Sequence, residues 1–162
     1  MTPQAAAGIG AGAVLAGGTG IGAYMIATSS SNPITLEEAI KNEGVDKSNY
    51  ENTSNLSGLG NNKKELVADL EKNRSWWDSR YKENKNGEES KLKDAKSGAF
   101  QAVTSGYGSE AATALNKVCD THYKKPKTEF EGDSEGTKTK ADLKLDVEKF
   151  CTVSGTKVLS LS

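Results

Sequence analysis

Few side chains in this sequence have the types and spacing that chemistry needs. Cys119 and His122 stand three positions apart, on one face of any helix that carries them, and Cys151 is the second cysteine. Four states are open to this set. In an oxidising compartment the cysteines can pair as a disulfide. Closing a loop of about 33 residues in that way stabilises a fold by roughly 3.5–4 kcal/mol. Cys119, His122 and Cys151 can also meet at a zinc ion, but a structural zinc site takes four ligands and His122 is the only histidine. A Cys119–His122 nucleophile pair needs an exposed, activated thiol, whereas Cys119 falls on an apolar stripe. Two buried reduced thiols are the remaining state. The disulfide leads.

The second chemical grouping is aromatic. Trp76, Trp77 and Tyr81 fall within six residues. They read either as a ligand or partner surface or as the bulk that a lean core needs. Acidic side chains are plentiful, as at Glu37-Glu38 and Glu88-Glu89, and on hydrophilic elements they read as solvated faces. Asp133-Ser134-Glu135-Gly136 lacks the full spacing of a calcium loop. Gly106-Tyr107-Gly108 reads as a turn, because the fuller glycine pattern of a phosphate loop is missing. Asn52-Thr53-Ser54 and Asn73-Arg74-Ser75 match an acceptor pattern for glycosylation that is frequent by chance. No catalytic residue, cofactor site or metal site is expected, and the chain is read as a non-enzyme.

The elements that position these groups are read as helices. Thr35-Leu36-Glu37-Glu38 is a capping box opening a short helix that stops near Gly44. Tyr50 to Asn62 reads as a loop. Leu66, Val67, Leu70, Trp77 and Tyr81 share a stripe at helical spacing, which predicts a long helix from Asn62 to Asn84. A third helix is expected over Glu88 to Thr104, weakened by Gly98. A fourth runs from Ser109 as cap to Tyr123, stopped by Pro126. A fifth opens at a Thr139-Lys140-Ala141-Asp142 capping signature and carries Leu143, Val147, Phe150 and Cys151. The tail from Thr152 to Ser162 is expected to be extended or frayed.

Of 162 residues, 35% are apolar and 6% aromatic, and 21 basic groups nearly balance 22 acidic ones. That balance argues against nucleic-acid binding, which needs a basic excess. From Ala5 to Ala27 there is no charged side chain. As a helix that stretch is about 34 Å long, enough for a hydrocarbon core of about 30 Å. Gly8, Gly12, Ala16 and Gly20 recur every fourth position, the pattern of a face on which membrane helices pack. The expectation is residues 1–32 as a membrane helix and linker, with 33–162 as a soluble helical domain. The lipid bilayer is then the first partner, and the domain is extracellular on a single-pass anchor. The alternatives are a cleaved signal, with Ala27-Thr28-Ser29 as the cleavage site and a secreted product, and a glycine-rich tail.

A set of landmarks runs through the chain. A small-residue N-terminal segment precedes Thr35-Leu36-Glu37-Glu38-Ala39-Ile40 and Trp76-Trp77-Asp78-Ser79-Arg80-Tyr81. A terminal module follows with Cys119, Phe130-Glu131-Gly132 and Phe150-Cys151-Thr152. Together they resemble the large paralogous families of uncharacterised membrane-anchored surface proteins of haemotropic mycoplasmas, wall-less bacteria that live on red blood cells. The resemblance implies a surface protein from an expanded, variable set, suspected of host contact or antigenic variation. It carries over no catalytic residue. The fold class expected is mainly α, with one N-terminal transmembrane helix, a small helical ectodomain with long polar loops, and one disulfide. The competing functional reading is a ligand-binding module with its pocket between the Trp76/Trp77 helix and the Cys119 helix, and a Cys/His enzyme comes last.

Overall fold

The computed structural model describes residues 32–87, 91–133 and 139–162. The stretch expected to form the membrane helix, with Gly8, Gly12, Ala16 and Gly20, lies outside the described residues. Among those described, no helix is long and apolar enough to cross a membrane.

Among the described residues, five α-helices carry the domain: α1 Leu36–Asn42, α2 Arg74–Asn84, α3 Gly98–Gln101, α4 Leu115–Tyr123 and α5 Thr139–Cys151. Short 3₁₀ turns punctuate the connections, and among the described residues there is no strand, only isolated β-bridges. The opening of α1 is as the sequence predicts. The Thr35 side chain accepts from the Glu38 N–H, and the Glu38 carboxylate accepts from the Thr35 N–H at 2.9 Å. Gly44, at φ +71°, turns the chain away.

The long helix predicted over Asn62 to Asn84 is corrected. Only Arg74–Asn84 is α-helical. Leu66, Val67 and Ala68 are extended and wholly buried. The reason is tertiary. On one side the Leu36 N–H donates to the Leu66 carbonyl (2.8 Å) and the Ala68 N–H to the Ile34 carbonyl (3.1 Å). On the other, the Val67 N–H donates to the Cys151 carbonyl (3.0 Å) and the Val153 N–H to the Glu65 carbonyl (2.9 Å). This segment is therefore flanked antiparallel by the start of α1 and the end of α5. Leu66 and Val67 do not share a helical stripe with Trp77.

Two further expectations change. In the region predicted as a third helix, Asp94 adopts φ +63°, which a right-handed helix cannot contain, and Leu92 bridges back to Lys85. Among the described residues of that region, helix is left only at Gly98–Gln101. The fourth helix begins at Leu115 rather than Glu110, because the first N–H groups of α4 go elsewhere. Leu115 donates to the Ser105 carbonyl (2.9 Å) and Asn116 to that of Gly106 (3.2 Å). Gly106 must be glycine for this. A Cβ there would lie 2.4 Å from the Asp78 Cα in α2.

The fifth helix has the expected span, but its cap is Asp133, which accepts from the Lys140 and Ala141 N–H groups at 2.9 Å each. Those donors hold the Asp133 carboxyl below its ordinary range, the Lys140 N–H most.

The core gathers Trp77, Tyr123, Phe100, Phe130, Phe150, Leu36, Leu56, Leu66 and Leu115, all fully buried. Phe100 and Phe150 stack at 5.6 Å. Asn73 braces the centre. Its side chain accepts from the Ile34 N–H (2.9 Å) and donates to the carbonyls of Ile34 (2.8 Å) and Ala68 (2.9 Å). Being buried and so engaged, Asn73 is not an acceptor for glycosylation in the folded state. Asn73→Asp preserves the shape but replaces the donating amide with an acceptor facing two carbonyls. It should destabilise the domain by about 2–3 kcal/mol, read as a lower urea midpoint at unchanged slope.

Candidate functional site

Cys119 stands in the middle of α4 and Cys151 ends α5. They are joined as a disulfide with Cα atoms 5.7 Å apart, and both residues have zero exposure. The bridge removes the thiol from any nucleophile pair and from any zinc site. Among the described residues, no group of three or more His, Cys, Asp or Glu side chains is placed to hold a metal ion.

His122, one turn after Cys119, is also buried. Its Nδ1 lies 2.7 Å from the Val118 carbonyl, which can only accept, so Nδ1 carries the proton. The ring sits 5.6 Å from Phe100 and 6.5 Å from Phe130. Burial among these rings pulls the imidazole below its ordinary value of 6.5, against the pull of the Val118 carbonyl. It is a neutral member of the core, with no route to the sulfur chemistry that its spacing suggests.

The aromatic grouping divides. Trp77 has zero exposure and donates Nε1–H to the Ala68 carbonyl at 3.2 Å, so the expectation of a partner surface at Trp77 is corrected. Apolar contacts enclose its ring and its one donor is used. Trp76 is half-buried, packed edge-on to Trp77 at 4.8 Å. The Arg80 guanidinium lies over the Trp76 ring at 4.6 Å, where a flat ligand would stack. Tyr81 is half-buried against the core. An open cleft of about 360 Å³ lies among Asn86, Lys91, Leu92, Lys93, Asp94 and Gln101.

Arg80 is the residue that spacing does not reveal. Its Nη2 donates to the carbonyls of Thr152 (3.0 Å) and Val153 (2.7 Å), beyond the end of α5. A cation there answers the exposed carbonyls of a helix C-terminus. Burial lowers its pKa, but a guanidinium remains charged at any relevant pH. Gly155 makes room for it, since a Cβ at that position would stand 2.6 Å from Nη1. Arg80 thus spans Trp76, α2 and the segment that leaves α5.

Two carboxylates, Asp120 on α4 and Asp69 against it, are likewise committed. Asp120 accepts from the Tyr50 hydroxyl (2.5 Å) and from Lys124 Nζ (2.6 Å). Burial, reinforced by Asp120, pushes the Tyr50 phenol well up. Asp69 accepts from Asn116 (2.6 Å) and from Lys117 (2.7 Å), and that bond raises the Lys117 pKa. Both clusters fasten distant loops to α4.

No family model, no curated protein and no solved structure matches the chain.

Two measurements check this account. Replacing both cysteines with alanine should cost roughly 3.5–4 kcal/mol, seen as a lower urea midpoint than for the oxidised chain. The second concerns His122. Its folded pKa is depressed, so the unfolded chain binds the proton more readily. The associated stability is present above pH ~6.5 and is lost as pH falls below it. Unfolding free energies measured from pH 7.5 down to 5 should fall for the unaltered chain, and His122→Gln should flatten that part of the slope.

Proposed function

We propose that this chain is a non-enzymatic surface protein, held at the cell membrane by its N-terminal segment as a single-pass anchor, with the helical domain outside the cell and acting by contact. The observation that carries the reading is a conjunction. An uncharged stretch from Ala5 to Ala27 precedes a domain whose two cysteines are paired and sealed in its core. A stretch of that length without an ionisable group suits a bilayer. A disulfide persists in an oxidising compartment and is rare in a reducing one.

The distribution of burial supports the same reading and the resemblance to the haemotropic mycoplasma families. Among the landmark positions, Leu36, Ala39, Trp77, Cys119, Phe130, Phe150, Cys151 and Thr152 are buried, whereas Glu38 and Asp78 are exposed. The polar stretches at residues 43–49, 51–54 and 108–113 are largely exposed. An interior of this kind can be kept while the loops vary, which is what an expanded set of surface proteins in contact with a host needs. Host surface molecules are the partner class proposed. The secreted alternative differs only in cleavage near Ala27-Thr28-Ser29.

Fractionation and protease shaving test the reading. The intact chain should stay in the membrane pellet through an alkaline wash. Protease added to whole cells should then remove the domain. A chain recovered in the soluble fraction with its first thirty residues intact would overturn both the anchor and the location.

A further inference from the structure

The segment after α5 is fastened in an unusual way. Beyond Gly155, at φ +70°, residues Thr156, Lys157 and Val158 are exposed, Val158 by 73%. The chain then dips back. Leu159 is buried and Leu161 packs against the core. Among the described residues, no backbone–backbone hydrogen bond joins residues 156–162 to the rest of the domain. Side chains hold the segment instead. The Asn62 amide pairs with both polar groups of Ser160: the Ser160 N–H donates to Oδ1 (2.8 Å) and Nδ2 donates to the Ser160 carbonyl (2.9 Å). The Leu159 N–H donates to Glu148 Oε1 (2.8 Å), and Lys127 Nζ reaches the Leu161 carbonyl at 3.4 Å.

Asn62 is itself fixed and buried, with Nδ2 also donating to the Leu56 carbonyl at 2.7 Å. Gly60, at φ +48°, leaves the opposite wall bare, since a Cβ there would come within 2.9 Å of the Ser160 Cβ.

This arrangement is a recognition site for an extended backbone. A planar amide reads one residue's N–H and C=O whatever its side chain, while alternate side chains drop into the apolar floor. Its occupant is the chain's own tail, which enters after an exposed connector hinged at glycine. We propose that the site formed by Asn62, Gly60, Lys127 and Glu148 is a peptide-binding groove that the C-terminal segment Lys157–Ser162 fills in cis. Its partner is an extended segment of another protein with leucine-like residues two apart and a basic residue two positions before the first of them, as Lys157, which pairs with Glu65 at 3.4 Å, stands before Leu159. The tail defines that chemistry and competes for the groove at the high effective concentration of a short tether. This inference stands whether or not the chain is anchored in a membrane.

A fluorescein-labelled peptide of residues 156–162, added to the full chain, tests it. The tail-released variant Leu159→Ser/Leu161→Ser should bind the peptide saturably, and the unaltered chain about tenfold or more weakly. Adding Asn62→Ala to the released variant should lower affinity by about tenfold. A peptide with its Leu and Ser positions interchanged should not bind. A released variant that keeps its helical circular dichroism and its disulfide yet shows no saturable binding overturns the groove. A dimer of the unaltered chain that falls apart in excess free peptide overturns the foreign partner in favour of a second copy's tail. Should the released variant fail to fold, hydrogen exchange of the unaltered chain decides. Leu159 and Ser160 amides should exchange about a hundredfold or more faster than those of Val118 and Val147. Equal protection would make the tail a fixed part of the fold and sink the proposal.

Discussion

Extended backbone at the centre of a helical core creates a problem that helices cannot solve. The Glu65 and Leu66 N–H groups still donate to the Asn62 carbonyl, but the N–H groups of Val67 and Ala68 and the carbonyls of Glu65 to Ala68 have no intrahelical partner, and an unpaired buried polar group of this kind costs about as much as a lost hydrogen bond. The domain is organised around satisfying them. Ile34 and Leu36 bind one side of the segment and Cys151 and Val153 the other. The Tyr123 hydroxyl donates to the Val67 carbonyl (2.9 Å) and the Cys151 carbonyl (3.2 Å), while Trp77 and Asn73 both donate to the Ala68 carbonyl. Residues from α1, α2, α4 and α5 are thereby required at one place.

The disulfide takes its meaning from that centre. Cys151 is both the end of α5 and, through its carbonyl, a partner of Val67 and Tyr123. Tying it to Cys119 in α4 holds together the two helices that supply the buried rings of Tyr123 and Phe150. In a domain of this size, with few aromatic side chains, burial alone leaves a narrow margin of stability, and a covalent link between two core helices widens it.

A second layer of fastening uses polar side chains on distant backbone. Asp146 accepts from the N–H groups of Lys96 and Ser97 and from the Ser97 hydroxyl, holding the start of α3 from 49 and 50 residues away. Asn116 and Asp69 join across 47 residues, Asn73 and Ile34 across 39, and Asn62 and Ser160 across 98. In sequence these residues resemble ordinary loop and surface positions, because no local spacing marks a polar side chain whose partner lies elsewhere in the chain. The same holds for Arg80. Its neighbours Trp76 and Trp77 attract attention as aromatic residues, while the arginine that covers Trp76 does not.

Local chemistry was enough for those elements whose partners are near in sequence. The Thr35–Glu38 capping box, the stop at Gly44, the span of α5 and the pairing of the only two cysteines were all legible, since each depends on neighbours or on having no rival partner. The helical period through Leu66, Val67 and Trp77 was also present, but it described burial rather than conformation. All of them are buried, with Leu66 and Val67 extended and Trp77 in a helix. Hydrophobic spacing records which residues leave water. Which backbone geometry they adopt in doing so was decided by hydrogen bonds to Ile34, Leu36, Cys151 and Val153, which exist only once α1 and α5 have been brought to either side. The floor under Leu159 and the amide waiting at Asn62 belong to that same assembled state, so no reading of the tail alone could have found them.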